Sequence, residues 1–497
     1  MFFPAAVAWV RLLELGAEDT LTLASGGERR LQYISTRGDA PVLDFDDVLL
    51  AGLASDGGLY LPESWPKFDT ADIREMRDLN YAELVVRVMT PFLGRRIAPD
   101  VFAGIVEETF KEFLHSAVAP LKQLETDLWL MELFHGPTLS FKDYPMQLIG
   151  RLFDYVLAQK GERVTIVGAT SGDTGSAAIE ACRDRKSIDC FILYPHGRVS
   201  EVQRRQMTTV GASNVYCVAV EGTFDDCQDL VKAMFADTAF RQNAQLAAVN
   251  SINWARVAAQ IVYYFHAALS VGAPDRPVSF SVPTGNFGNV FAAYAAKTCG
   301  LPVDQLIIGT NRNDILTRFF ATGELSIGEV SQTISPSMDI QVSSNFERFL
   351  FDLYGRDGVS LTKAMAAFRR EGKLALGEHQ HKRAVDLISA HRLDDRETMA
   401  EMARTLQVSG ELIDPHTAIG VAAARECRRG VTPVIAQAVA HPAKFPDAVE
   451  RATGIRPQLP INLGDLFERE EHFTVLANDI KIVQGFVQEN IMLQGAV

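Results

Sequence analysis

Residues 163–182 read RVTIVGATSGDTGSAAIEAC: a β-branched apolar run, a glycine-rich turn and a small-residue helical run in direct succession. The run 163–167 fits a buried strand, and 176–182 fits a helix packed closely on its neighbours. A strand feeding a helix through so short a turn is the building unit of an open α/β fold. Outward from this unit the pattern recurs. Runs 189–194, 214–220 and 278–282 are further clear strands, 305–310 a fifth and 433–439 a late sixth. Each precedes a helical stretch, such as 254–269 or 290–298, which predicts a parallel, doubly wound sheet.

The turn Gly168-Ala169-Thr170-Ser171-Gly172-Asp173-Thr174-Gly175 has chemical meaning. Glycines let the backbone approach a phosphate or carboxylate, and the unpaired amides and dipole of the following helix favour negative charge. The hydroxyls of Ser171 and Thr174 would add donors; ordinary helix capping is the competing reading. The same design returns at Pro283-Thr284-Gly285-Asn286-Phe287-Gly288-Asn289, between the strand VSFSV and the helix NVFAAYAAK. Neither loop has GxGxxG spacing, no acidic residue marks the end of the next strand, and no Walker A loop exists, which argues against a nucleotide fold. A third polar cluster, Asn250-Ser251-Ile252-Asn253-Trp254-Ala255-Arg256, precedes an apolar helix. A helix starting near Ser251 would set Asn253 and Arg256 three apart on one face, where a guanidinium beside amides and hydroxyls suits a phosphate. Standing alone, the segment reads more readily as capping by Asn250 or Ser251 with Arg256 at the surface.

Residues 132–143, ELFHGPTLSFKD, are unlike a core helix or strand. Lys142, between Phe141 and Asp143 and reached through Gly136, Pro137, Thr138 and Ser140, sits beside apolar surface, where desolvation favours the neutral, nucleophilic amine. Such a lysine forms Schiff bases. A solvated lysine closing a loop is the alternative for this tripeptide alone. A lysine anchor joined to an anion cradle is what pyridoxal phosphate requires, and two further anion sites imply an acidic, phosphorylated amino acid as substrate.

Composition narrows the class. The chain has 497 residues, 47% hydrophobic and 22% charged, long enough for two or three domains, and a formal net charge of −14. That sign disfavours nucleic acid and anionic membrane as partners. Six cysteines, with no CxxC spacing, are expected as buried free thiols in a reducing cytoplasm. Residues 1–13 are apolar but interrupted by Arg11 and followed by Glu14 and Glu18, unlike a signal peptide. No Cys/His spacing supports a metal, and no GxSxG elbow supports a serine hydrolase. His416 and His441 read as structural histidines. The expected layout is an extension at 1–30, a mainly helical N-terminal domain at 31–115, a catalytic domain at 116–455 and a C-terminal segment at 456–497. Within the catalytic domain, 328–410 reads as a helical insertion or lid.

Twelve ordered segments carry a resemblance over about 33–449: YISTRG, ASDGGLYLPE, ELFHGPTLSFKD, GATSGDTGSAA, FILYPHGRVSEVQRRQMTT, GTFDDCQDLVKA, VNSINWAR, VPTGNFGNVFAAYAAK, TNRNDIL, SMDIQVSSNFER, LIDPHTAIG and AHPAKF. They resemble the threonine synthases of the long type, which carry an N-terminal domain. The resemblance implies the tryptophan-synthase-β-like fold of type II pyridoxal-phosphate enzymes, with open parallel sheets flanked by helices. It also implies conversion of O-phospho-L-homoserine and water to L-threonine and phosphate by a cytoplasmic monomer or homodimer. By the same resemblance Lys142 holds the cofactor and moves protons at the α, β and γ carbons, and Gly285, Asn286, Phe287 and Gly288 hold the cofactor phosphate. Ser171, Gly172, Asp173, Thr174 and Gly175 hold the substrate carboxylate, and Asn250, Ser251 and Arg256 its phosphate. One position departs: where the family has a threonine at the pyridine nitrogen, this chain has Val439, which cannot hydrogen-bond. Gln437 or a water would have to substitute. The expectation is reduced turnover with the cofactor retained.

Overall fold

The computed structural model describes residues 31–94, 96–247 and 251–491. The expected extension 1–30 lies outside the described residues, and so does Asn250. All six expected strands are present, but they divide between two sheets. One sheet runs Thr474–Ala477, Val215–Glu221, Ile188–Pro195, Val164–Ala169, Leu246–Ala247, with every neighbouring pair parallel. The other runs Ile388–Arg392, Val303–Thr310, Val278–Pro283, Val434–Ala438, Leu128–Glu132, Leu121–Glu125, parallel except for the last pair. The strands Ile188–Pro195, Val278–Pro283 and Val434–Ala438 are buried at every position. Both faces of each are covered, so even the polar Ser279, Ser281 and Gln437 are buried.

The helices Asp143–Lys160 and Trp254–Ser270 pack against each other. Helix Trp254–Ser270 is buried along nearly its whole length and also packs on helices Gly288–Thr298 and Tyr81–Leu93. One apolar cluster therefore runs without a break from the N-terminal region through this helix to both sheets. The N-terminal region pairs Tyr33–Ser35 with Tyr60–Pro62 and adds helices Phe45–Ala51, Thr70–Glu75, Tyr81–Leu93 and Pro99–Phe110.

The structure adds detail to the expected layout and moves one helix start. Within the stretch 328–410, strand Ile388–Arg392 forms the edge of the six-stranded sheet, paired with Val303–Thr310. The segment 456–491 is likewise part of the core architecture: Thr474–Ala477 extends the five-stranded sheet, and helix Ile480–Asn490 buries Val483 and Val487 against it. The helix expected from Ser251 begins instead at Trp254, and Asn253 caps it, its side-chain oxygen accepting from Ala255 N–H while its amide donates to the Leu49 carbonyl. All six cysteines are free; five are buried and Cys427 is partly exposed. Among the described residues no helix is long and apolar enough to cross a membrane.

Candidate active site

The lysine loop is fixed from both sides. Phe141 N–H donates to the Val439 carbonyl at 2.9 Å and His441 N–H to the Leu139 carbonyl at 3.0 Å, so residues 139–141 lie along the segment leaving strand Val434–Ala438. Within the loop, the Asp143 carboxylate accepts from Thr138 N–H at 2.9 Å and from the Thr138 hydroxyl at 2.5 Å. A Cβ at Gly136 would lie 2.4 Å from Asp143 Cβ, so only glycine permits this closure. Burial pushes the Asp143 carboxyl up to about 6 despite the Thr138 donors. Lys142 itself begins helix Asp143–Lys160.

The Lys142 amine donates to Asp173 Oδ2 at 3.3 Å, with 12% of the side chain exposed. Burial lowers its pKa, and the nearby Lys444 and Arg256 add to the effect against the pull of Asp173. Asp173 opens helix Asp173–Cys182 from the first glycine-rich turn. Its carboxylate also accepts from Gln203 Nε2 at 2.8 Å and the Ser337 hydroxyl at 3.5 Å, and pairs with Lys444 Nζ at 3.0 Å. Burial opposes ionisation here, but Lys444 and Lys142 outweigh it and hold the carboxyl well below the usual range. The Asp173 side chain is thus engaged by Lys142, Lys444, Gln203 and Ser337. The Thr170 hydroxyl accepts from Gly172 N–H at 3.0 Å and from Gly175 N–H at 2.8 Å and so holds the turn closed, while added Cβ atoms would meet Gln203 at 2.5 Å from Gly172 and Thr170 at 2.4 Å from Gly175.

Ser337 joins the second loop to the same centre. Its carbonyl oxygen lies 3.0 Å from where a Cβ on Gly285 would stand, while its hydroxyl reaches Asp173. Phe287 takes a left-handed backbone, φ 61°, with its ring packed on Phe346 and Phe349, and the helix Gly288–Thr298 starts with no side-chain cap. Asn345 N–H donates to the Asn286 carbonyl at 3.0 Å, and its side-chain amide donates to the Ser251 carbonyl at 3.0 Å. Ser251, Asn286 and the Gly288 helix start are thereby gathered in one place.

Arg256 is not the surface arginine of the competing reading. It is 4% exposed, and its Nε and Nη1 atoms are buried with no partner. Burial lowers its pKa to about 10. An unpaired buried guanidinium is costly and has the form of a site awaiting an anion. Val439 is buried, and its backbone N–H donates to the Thr417 hydroxyl at 3.2 Å. Gln437 is fully buried with its Oε1 bonded by Asn289 and its Nε2 unpaired.

Family models match along nearly the whole described chain: "Threonine synthase N terminus" at residues 32–110, "Pyridoxal-phosphate dependent enzyme" at 114–434 and "Threonine synthase, C-terminal" at 417–487. The chain is 57% identical to a threonine synthase of Pseudomonas aeruginosa over 93% of its own length and 98% of that protein. The chain belongs to the threonine synthase family. The Methylobacillus glycogenes threonine synthase is 42% identical over 93% of this chain and all of that one. A pyridoxal-phosphate-bound threonine synthase structure from Brucella melitensis superposes with TM-score 0.91 at 54% identity, covering 93% of this chain and 99% of that one. The yeast threonine synthase structure gives 0.88 at 36% identity, covering 92% and 98%. This is a pyridoxal-phosphate-dependent enzyme with the type II α/β fold. The residues present fit the cofactor: a buried lysine with a lowered pKa and an uncapped helix start beside a glycine loop.

Sequence reasoning missed Lys444, Gln203, Ser337 and His416. Lys444 stood inside the quoted AHPAKF, but nothing in a sequence marks a lysine as buried and paired.

Proposed function

We propose that this enzyme makes L-threonine and phosphate from O-phospho-L-homoserine and water through a site centred on Lys142. Lys142 would hold pyridoxal phosphate through its side-chain nitrogen, and the bound cofactor would supply the electron sink that lets protons leave the substrate's α and β carbons. Lys142 is the general acid and base, moving protons at the α, β and γ carbons in turn, a role suited to an amine whose pKa burial lowers. Gly285, Asn286, Phe287 and Gly288 hold the cofactor phosphate on the start of helix Gly288–Thr298. Val439 borders the cofactor ring.

The backbone of Ser171–Gly175, with the Ser171 and Thr174 hydroxyls, takes the substrate carboxylate. Arg256 and Ser251, with Asn250 beside them in the chain, take the substrate phosphate. The guanidinium stabilises the charge that gathers on the leaving oxygen as the γ C–O bond breaks. The single observation that carries this reading is the buried, unpaired Arg256 guanidinium close to the Lys142 amine. We also assign the enzyme to the cytoplasm, as a monomer or homodimer, with an N-terminal domain at 31–115 ahead of the catalytic part.

The test is to supply O-phosphohomoserine to purified holoenzyme and measure inorganic phosphate and threonine. Equal amounts of both, lost in Lys142→Ala, are expected. Phosphate accompanied by a 2-oxo acid in place of threonine would overturn the reading.

A further inference from the structure

Lys444 is fully buried, and the chemistry above has no use for it. Its amine donates to the Thr138 carbonyl at 2.6 Å and pairs with Asp173 Oδ1 at 3.0 Å. Asp173 is shared: its second oxygen faces the Lys142 amine at 3.3 Å. We propose that Asp173 and Lys444 form a charge-compensating pair that sets the protonation of the Lys142 nitrogen, with Lys444 as a positioning residue. The proposal rests on the reading of Lys142 as the cofactor lysine.

One carboxylate faces two amines, and the unpaired Arg256 guanidinium adds a further positive charge nearby. A buried cluster with excess positive charge sheds a proton from the amine that holds it least well. Lys444 has two oxygen acceptors at 2.6 and 3.0 Å, whereas Lys142 has one at 3.3 Å. The proton therefore leaves Lys142. Without Lys444, the whole Asp173 charge would fall on the Lys142 nitrogen and hold a proton there.

The other charged and titratable groups facing this cluster are few. Asp143 and His441 lie near Lys444, and His416 faces Asp173. His416 Nε2 accepts from Ser337 N–H at 3.3 Å, so its proton sits on Nδ1, 2.7 Å from Asp414 Oδ2. Burial holds His441 neutral, its pKa lowered to about 4. His441 therefore supplies no charge that replaces Lys444 at neutral pH.

The test is a pH titration of the cofactor absorbance band in the holoenzymes of the wild type, Lys444→Met, Lys444→Arg, Asp173→Asn and the double variant Asp173→Asn/Lys444→Met. Lys444→Met should raise the midpoint by about one pH unit or more, as expected for a carboxylate facing one amine instead of two. Lys444→Arg should stay near wild type, Asp173→Asn should fall below it, and the double variant should lie above Asp173→Asn. A Lys444→Met midpoint equal to wild type overturns the proposal. Should that variant not fold, coincidence of Asp173→Asn with the double variant does so. A Lys142→Ala control that retains the wild-type band would instead count against Lys142 as the cofactor lysine.

Discussion

At the scale of single residues, the site holds charges that a core normally avoids. The Arg256 guanidinium, 4% exposed and unpaired on Nε and Nη1, is kept at a cost in stability. Arg256→Met is therefore expected to lower kcat/KM for the phosphorylated substrate by about 10²–10³-fold, as when a donor to a developing negative charge is removed. The same change should leave the melting temperature unchanged or higher. Inorganic phosphate should raise it for the wild type only. Asp143 makes a pH prediction. Its folded carboxyl is pushed up to about 6, above the unfolded value of about 3.9, so its stabilising contribution is complete below about pH 4 and lost as pH rises through 6. Urea unfolding should show stability falling by about 2–3 kcal/mol over that window in the wild type, and a flatter profile in Asp143→Asn. Lys142 and Arg256 were legible in the sequence because a motif order surrounded them. Lys444 was not, since burial and pairing are properties of the fold.

At the scale of elements, the two glycine-rich turns are legible because φ, backbone approach and helix polarity all demand the same residue types. What the turns grip is less visible. Helix Asp143–Lys160, which follows Lys142, crosses helix Asp173–Cys182, which starts at Asp173, so closely that a Cβ on Gly150 would lie 2.3 Å from the Ala181 carbonyl oxygen. Gly150→Ala should force these helices apart and destabilise the protein by about 1–3 kcal/mol. It should also weaken the contact between Lys142 and Asp173, so that both the melting temperature and kcat fall. Gly150 carried no sequence signal, being one glycine in an otherwise ordinary helical run. The strands Leu121–Glu125 and Ile388–Arg392 escaped notice for a related reason: as edge strands they are only partly buried, and their polar residues mask the strand pattern.

At the scale of the whole molecule, the segment YISTRG has a structural explanation. Arg37 Nη2 pairs with Glu347 Oε2 at 3.0 Å and Arg37 Nε donates to Oε1 at 3.1 Å, while the Thr36 hydroxyl donates to the same carboxylate at 2.7 Å. The neighbouring Arg348, fully buried, donates to the Tyr60 carbonyl at 2.9 Å and the Ile252 carbonyl at 2.6 Å. These bonds tie the N-terminal region to SSNFER and, through Asn345 and Ser251, to the second anion loop. Glu347→Ala leaves Arg37 buried and unpaired and should cost about 3–5 kcal/mol, read as a large drop in melting temperature. The α/β class was open to sequence reasoning because buried parallel strands are largely apolar runs. The division into two sheets was not, since strand order depends on pairings between residues as distant as Thr474 and Val218.

The most direct test of the central role given to Lys142 is borohydride reduction of the holoenzyme, followed by proteolysis and mass spectrometry of the pyridoxyl-bearing peptide. The adduct is predicted on Lys142, in the peptide containing LSFKD. An adduct on Lys444, the other amine bonded to Asp173, or on any lysine outside this site would contradict it.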